Sequence, residues 1–303
     1  MQPQPGATNR VAVSLALPDT ANCLETLRRL APRVSLAELR LDMMRTFDLE
    51  RLVRESPVRL IITCRPRREG GHFSGSEAER QRVLWRAINL GCAYVDVEWD
   101  TVAEFGGRGT EGTQLIASRH WNSRMPETFW PDYETLREQA AVVKLVGLAS
   151  SAADVLPVFE LMSRATTPFI ALAMGAPGQL TRLLAPVFEQ CLLTYGAATD
   201  ADLTAPGQLS VAEMIDSYRL HRAGSQTKIQ LRLSTDRDAA VAVTSDRSRD
   251  TTGDVLHVHF GVSPHEAAAV VYGLMAYLPR LTLSADRELR NALPPHLAAH
   301  LKL

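Results

Sequence analysis

Eight short apolar, β-branched runs recur between Val11 and Ala197, each followed by a polar stretch of helical character, and this recurrence restricts the fold more than any other feature. The runs are Val11 to Leu17, Leu36 to Met43, Arg59 to Arg65, Ala93 to Trp99, Gln114 to His120, Ala141 to Val146, Pro168 to Met174 and Cys191 to Ala197. Their starts lie roughly 21 to 34 residues apart, the spacing of βα units. Eight such units in about 220 residues predict an α/β fold, a (β/α)8 TIM barrel, with a doubly wound open sheet as the competing architecture. The stretch from Ser76 to Gly91 has apolar spacing near 3.6 and a closing glycine, as a helix should. Ser210 and Glu213 have the spacing of a capping box, which predicts a helix start after the eighth run.

Beyond Gly224 the pattern changes. Strand-like KIQLRLS and AAVAVTS are followed by a DRSRDTTGD loop, a VLHVHFG run and two expected helices from Ser263 onward. Gly253, Gly261 and Gly273 never form the G-x-G-x-x-G of a dinucleotide fold. The expected organisation is an N-terminal tail (1–10), a barrel (11–224) and a small C-terminal αβ appendage of unknown role (225–303).

Bulk properties narrow the partners. The 33 basic and 34 acidic residues nearly cancel, and no basic stripe with interleaved aromatics argues for nucleic acid. Cys23, Cys64, Cys92 and Cys191 form no C-x-x-C pair and sit mostly in or beside apolar runs, which reads as reduced thiols. No stretch of 18 uninterrupted apolar residues suggests a membrane span, and the first residues lack a signal-peptide core. A cytoplasmic enzyme or binding protein is the expectation.

In a barrel of this kind the reactive groups come from the C-terminal ends of the strands and the loops just beyond. Glu38, Arg40 and Asp42 alternate along the second run, so they share one face, either as an internal ion-pair cluster or as a polar ligand site. Arg65 ends the third run ahead of Glu69-Gly70-Gly71 and suits an anionic ligand, unless the loop is only a solvated basic one. Lys144 is flanked on both sides by apolar residues, so its ammonium is expected to be poorly solvated and to favour the nucleophilic amine that makes imines. A snorkelling lysine is the plainer alternative. His120 closes the fifth run, one strand before Lys144, where it is either a general base or a hydrogen-bonded structural residue. Met174 ends the seventh run and Arg182 follows it; Thr204 and Gln208 lie in the loop after the eighth. Loops seven and eight commonly bind anions, although Pro-Gly turns without a ligand would look alike.

The ordered segments ELRLD, TCRPRREGG, YVDVEWD, IASRH, VVKLV, AMGAPGQLTR and TAPGQLSVAEM closely resemble the type I 3-dehydroquinate dehydratase family, over roughly Val11 to Gly224. The resemblance implies that Lys144 forms an imine with the C3 ketone of 3-dehydroquinate. It further implies that His120 takes a C2 proton and protonates the departing C1 hydroxyl, giving 3-dehydroshikimate, a step of the shikimate pathway. By the same resemblance Glu69 holds His120, Arg182 and Gln208 grip the substrate carboxylate, Glu38, Arg40 and Arg65 surround the ring hydroxyls, and Met174 lies beside the lysine. Thr204 stands where the family usually has serine. No cofactor is implied, no nucleic acid or membrane partner is expected, and a homodimer is the expected assembly. A class I aldolase would share the barrel and the lysine, and a non-catalytic sensor of quinate-like ligands would need neither Lys144 nor His120. His257, His259 and His265 lack a carboxylate partner in sequence and read as packing or surface residues rather than a metal site.

Overall fold

Strands buried on both faces read as continuous apolar runs, and each of the eight runs forms one. The structure is a computed structural model that describes residues 9–106, 109–110, 112–236 and 255–302. The barrel strands are β1 (Val11–Leu15), β2 (Leu36–Arg40), β3 (Arg59–Thr63), β4 (Tyr94–Glu98), β5 (Thr113–His120), β6 (Val142–Leu148), β7 (Phe169–Met174) and β8 (Thr194–Ala197). They pair in parallel in the order β7-β6-β5-β4-β3-β2-β1-β8. A parallel bridge between Phe169 and Cys191, with Leu192 N donating to Phe169 O at 2.9 Å, closes the ring. Two-residue Gly109–Thr110 adds an antiparallel edge to β5.

Helices α1 (Thr20–Leu30), α2 (Leu49–Glu55), α3 (Glu77–Asn89), α4 (Trp130–Leu136), α5 (Leu156–Arg164) and α6 (Gln179–Leu184) follow the strands. Their apolar faces and the outward side chains of the strands make the outer core; Ile61, Tyr94, Ile116 and Ile170 are among those that fill the barrel interior. The capping box of α3 lies at Ser76 and Glu79, where Ser76 Oγ accepts from Glu79 N at 3.3 Å and Glu79 Oε2 accepts from Ser76 N at 2.8 Å. The helix expected after Ser210 is a single distorted turn: Ser210 Oγ accepts from Glu213 N at 3.2 Å, and Glu213–Ser217 has π-type bonding.

The C-terminal region has its own sheet. Strands β9 (Lys228–Ser234), β10 (Val255–Gly261) and β11 (Leu281–Ala285) pair in parallel in the order β10-β9-β11, with α7 (Ala267–Tyr277), α8 (Arg287–Ala292) and α9 (Pro295–Ala298). The strand expected at 239–245 and the loop after it lie outside the described residues, as do residues 1–8 of the tail. Strand β11 is additional to the expected pattern, which placed only helices after Ser263. Helix α7 packs on α5, and Glu266 Oε1 accepts from Ala153 N of the barrel at 3.2 Å. Among the described residues no helix is long and apolar enough to cross a membrane.

Candidate active site

The strand register brings together polar side chains that are far apart in sequence. Ser14 pairs with Glu38, Thr63 with Asp96, Glu98 with Ser118, and Ser118 with Lys144. Partners in a parallel pair project to the same side, so these residues form polar layers at the C-terminal end of an otherwise apolar interior. Above them is a cavity of about 290 Å³. All ten candidate residues line it: Lys144, His120 and Glu69, with Glu38, Arg40, Arg65, Met174, Arg182, Thr204 and Gln208.

Lys144 corrects one expectation. Its stem crosses apolar β6, but Nζ lies 3.0 Å from Glu38 Oε1 and 2.8 Å from Asp96 Oδ2, over the ring of Tyr195 at 4.9 Å. The amine end therefore occupies a box of two carboxylates and an aromatic face, not an apolar pocket. Apolar neighbours in sequence describe only the strand, because the groups facing Nζ come from β2, β4 and β8. Burial pushes the Glu38 carboxyl up, and Lys144, Arg40 and the Ser14 hydroxyl together outweigh it, leaving Glu38 below its ordinary value. Asp96 is likewise desolvated, yet Arg65 and Lys144 hold it well below the usual carboxylate range. Both are anions facing the lysine.

Arg65 is held by protein as well. It lines the cavity, and its guanidinium lies 2.8 Å from Asp96 and 2.7 Å from Glu98, while Nη1 donates to Ser118 Oγ at 2.6 Å. Fully buried Arg80, from α3, pairs with the other oxygen of Glu98. Arg65 thus fixes Asp96 and Glu98 at the edge of the cavity that it lines. Arg40 is also partnered, through two hydrogen bonds of 2.9 and 2.8 Å to Asp42, which lies in the turn beyond β2 and takes a bond from His72 N at 3.0 Å.

Glu69 and His120 form a pair. The backbone that presents Glu69 is tight: Gly70 has φ +77°, and a Cβ on Gly71 would lie 2.1 Å from Arg65 O, so both positions need glycine. Glu69 Oε2 accepts from His120 N at 2.7 Å and lies 3.3 Å from Nδ1. A carboxylate at Nδ1 fixes the proton there and leaves Nε2 to act on a ligand. Burial, with the charges of Arg65 and Lys144, holds the His120 imidazole well below its ordinary value, so it is neutral at neutral pH and able to accept a proton.

Arg182 is of another kind. It is 2% exposed, its Nε and Nη2 have no partner among the described residues, and burial lowers its guanidinium to about 10. A buried cation without a counter-charge is costly unless an anion completes it. Gln208 lies in the same wall with its carbonyl occupied by Thr204 N at 2.8 Å and Thr204 Oγ1 at 3.0 Å, which aims the amide N–H groups elsewhere. Thr204 Oγ1 also lies 3.1 Å from Ser14 Oγ, tying loop eight to β1.

Asp96, Glu98, Ser14, Tyr195 and Asn122 belong to the site or its support and were not singled out from sequence. Asp96 and Glu98 carry the same alternation inside an apolar run that marked Glu38 and Arg40, so that signal was present. His257 and His259 share one face of β10 with their side chains partly exposed, and no group of three or more His, Cys, Asp or Glu among the described residues is placed to hold a metal.

Comparison with known proteins agrees with this geometry. The profile of the family described as Type I 3-dehydroquinase matches residues 11–225. A bifunctional 3-dehydroquinate dehydratase/shikimate dehydrogenase from Arabidopsis thaliana is 35% identical over 205 residues, 64% of this chain but only 34% of that protein. The chain therefore spans about a third of that relative. A 3-dehydroquinate dehydratase from Desulfotalea psychrophila is 31% identical over 229 residues, 68% of this chain and 96% of the relative. Among solved structures, 3-dehydroquinate dehydratase from Geobacillus kaustophilus superposes with a TM-score of 0.59 at 25% identity, covering 70% of this chain and 93% of that one. The dehydroquinate dehydratase and shikimate dehydrogenase of S. pombe AroM covers 94% of this chain with a TM-score of 0.60; at 20% identity it shows the fold alone. A closed parallel barrel with a lysine, a histidine and an arginine that makes no ion pair among the described residues at one mouth, matched over 11–225 by one family profile, places the chain in the type I 3-dehydroquinase family.

Proposed function

We propose that this type I 3-dehydroquinase converts 3-dehydroquinate to 3-dehydroshikimate through an imine on Lys144. The observation that carries the assignment is the amine held between Glu38 and Asp96 in the cavity that His120 also lines. Nζ attacks the C3 ketone and water leaves, giving an iminium. The positive charge on nitrogen is the same before and after, so the two carboxylates that hold the ammonium also complement the iminium. The iminium draws electrons from the adjacent C2–H bond. His120, neutral and oriented by Glu69, takes that proton to leave an enamine. The enamine electrons expel the C1 hydroxyl, which departs as water with the proton from His120, and hydrolysis of the conjugated iminium frees the product and Lys144. Net change is loss of one water.

Arg182 and Gln208 are assigned to the substrate carboxylate, supported by the two unpartnered guanidinium nitrogens of Arg182 and the fixed carboxamide of Gln208. Glu38, Arg40 and Arg65 are assigned to the ring hydroxyls, Thr204 to the substrate from loop eight, and Met174 to the apolar wall beside the lysine. We further take 11–224 as the catalytic unit and 225–303 as an appendage without a catalytic part, supported by its separate sheet. A cytoplasmic location is supported by four buried free cysteines; a homodimer completes the reading. The test is turnover: full-length protein given 3-dehydroquinate should generate the ultraviolet absorbance of the conjugated enone of 3-dehydroshikimate. A protein that binds 3-dehydroquinate without producing enone would be a sensor and not this enzyme.

A further inference from the structure

The contacts that orient His120 do not stop at Glu69. Its other oxygen, Oε1, accepts a 3.0 Å hydrogen bond from the indole Nε1–H of Trp99, the residue that follows β4. Trp99 is itself clamped. The Arg119 guanidinium lies over its ring, 4.3 Å from the centroid, and over the ring of Trp121 at 4.7 Å, while Nη1 of Arg119 pairs with Asp132. Trp99 N donates to Ser118 O at 2.8 Å, fixing the start of the side chain. A cation stacked on an indole sets the plane of the ring, and the N–H lies in that plane, so the stack sets where the hydrogen bond points. Trp99 is 39% exposed, so water could satisfy this donor; it is used on a buried carboxylate instead.

We infer that Trp99 is a positioning residue for the dehydration: its N–H, held by Arg119, locks Glu69 so that the remaining carboxylate oxygen faces His120. This rests on the roles proposed above for Glu69 and His120. The charges facing Glu69 are Arg65 just beyond β3 and Asp100 beyond β4, with Arg68 of its own turn engaged by Asp100. Burial raises the Glu69 carboxyl and Asp100 adds to it; the His120 amide, the Trp99 indole and Arg65 oppose them. Removing the indole donor raises the carboxyl further. The ionised form that orients the imidazole is then lost at a higher pH, and the acid limb of kcat moves upward.

The test is Trp99→Phe in the full chain, which keeps a ring for Arg119 to stack on and removes the donor. Loss of a hydrogen bond to a charged group predicts a fall in kcat of about tenfold with KM within about twofold, and an acid limb displaced upward by about half a pH unit or more. In a Glu69→Gln background the same substitution should lower kcat by less than about twofold, because the carboxylate it acts through is gone. An unchanged kcat and pH profile, or an equal loss in both backgrounds, overturns the inference. If Trp99→Phe does not yield folded protein, Arg119→Gln takes its place: it frees the indole without removing it and should lower kcat at constant KM, and no change there overturns the inference too. Failure of the parent to turn over 3-dehydroquinate would count against the proposed function. A turning-over parent with an indifferent Trp99 counts against this step alone.

Discussion

Replacing Lys144 by alanine should do more than stop turnover; it should destabilise the barrel in a pH-dependent way. Glu38 and Asp96 are 4% and 0% exposed, and Lys144 lies 3.0 and 2.8 Å from them. Without the amine, Asp96 keeps Arg65 at 2.8 Å, whereas Glu38 keeps only the hydroxyls of Ser14 at 2.7 Å and Thr63 at 3.0 Å as hydrogen-bond donors. Breaking a buried pair by removing one partner costs about 3–5 kcal/mol, a large share of the roughly 5–15 kcal/mol of a typical domain. The sign of the pH dependence follows from Glu38. In the parent its carboxyl lies below the ordinary value, so it is ionised in folded and unfolded chain alike from about pH 5 to about 8 and contributes no slope there. In Lys144→Ala burial acts unopposed by the lysine, the folded carboxyl rises above its unfolded value, and the folded state binds the extra proton. The variant therefore recovers stability as pH falls, by up to about 1.4 kcal/mol per pH unit while that proton is taken up. Urea unfolding of both proteins, followed by tryptophan fluorescence at about pH 8, 7, 6 and 5, gives the deficit at each pH. It should be about 3–5 kcal/mol at the alkaline end and shrink toward the acid end, and Lys144→Ala/Glu38→Gln should recover most of it throughout. A deficit that is constant with pH, or below about 1 kcal/mol at pH 8, would refute the carboxylate box.

Two other substitutions separate the remaining roles. His120→Ala should still form the imine but lower kcat by about 10²- to 10⁴-fold, the range of a lost general acid–base group; stopped-flow turnover within tenfold of the parent would remove His120 from proton transfer. Arg182→Leu should raise KM for 3-dehydroquinate by about tenfold or more while leaving unfolding free energy unchanged or increased, since two of its buried nitrogens make no hydrogen bond among the described residues. Substantial destabilisation with unaltered KM would make Arg182 structural.

The barrel was readable because parallel strands covered on both sides need apolar side chains at nearly every position, and because polar residues inside such runs have few reasons to be there. Lys144, Glu38 and Arg40 stood out on that ground, and all three face the cavity. What encloses the amine was not readable. Glu38 is separated from Lys144 by 106 positions and Asp96 by 48, and their meeting depends on the register of β2 through β6. The same holds for Arg65, whose partners Asp96 and Glu98 come from the neighbouring strand, so a residue expected to face the ligand is largely engaged by protein. Trp99 looked like the end of an apolar run, and its donor role appears only when the Gly70-Gly71 turn brings Glu69 beside it. In the C-terminal region β11 was missed because LTLSA is short and flanked by helical residues; its strand state comes from pairing with β9, Leu231 opposite Leu283.

The most direct test of the imine is chemical. Incubating full-length protein with 3-dehydroquinate, reducing with borohydride and sequencing the modified peptide by mass spectrometry should find a stable secondary amine on Lys144, together with loss of activity. Recovery of unmodified Lys144 from protein that still turns over the substrate, or an adduct on Lys228 or Lys302 in its place, would contradict a mechanism that passes through the amine between Glu38 and Asp96.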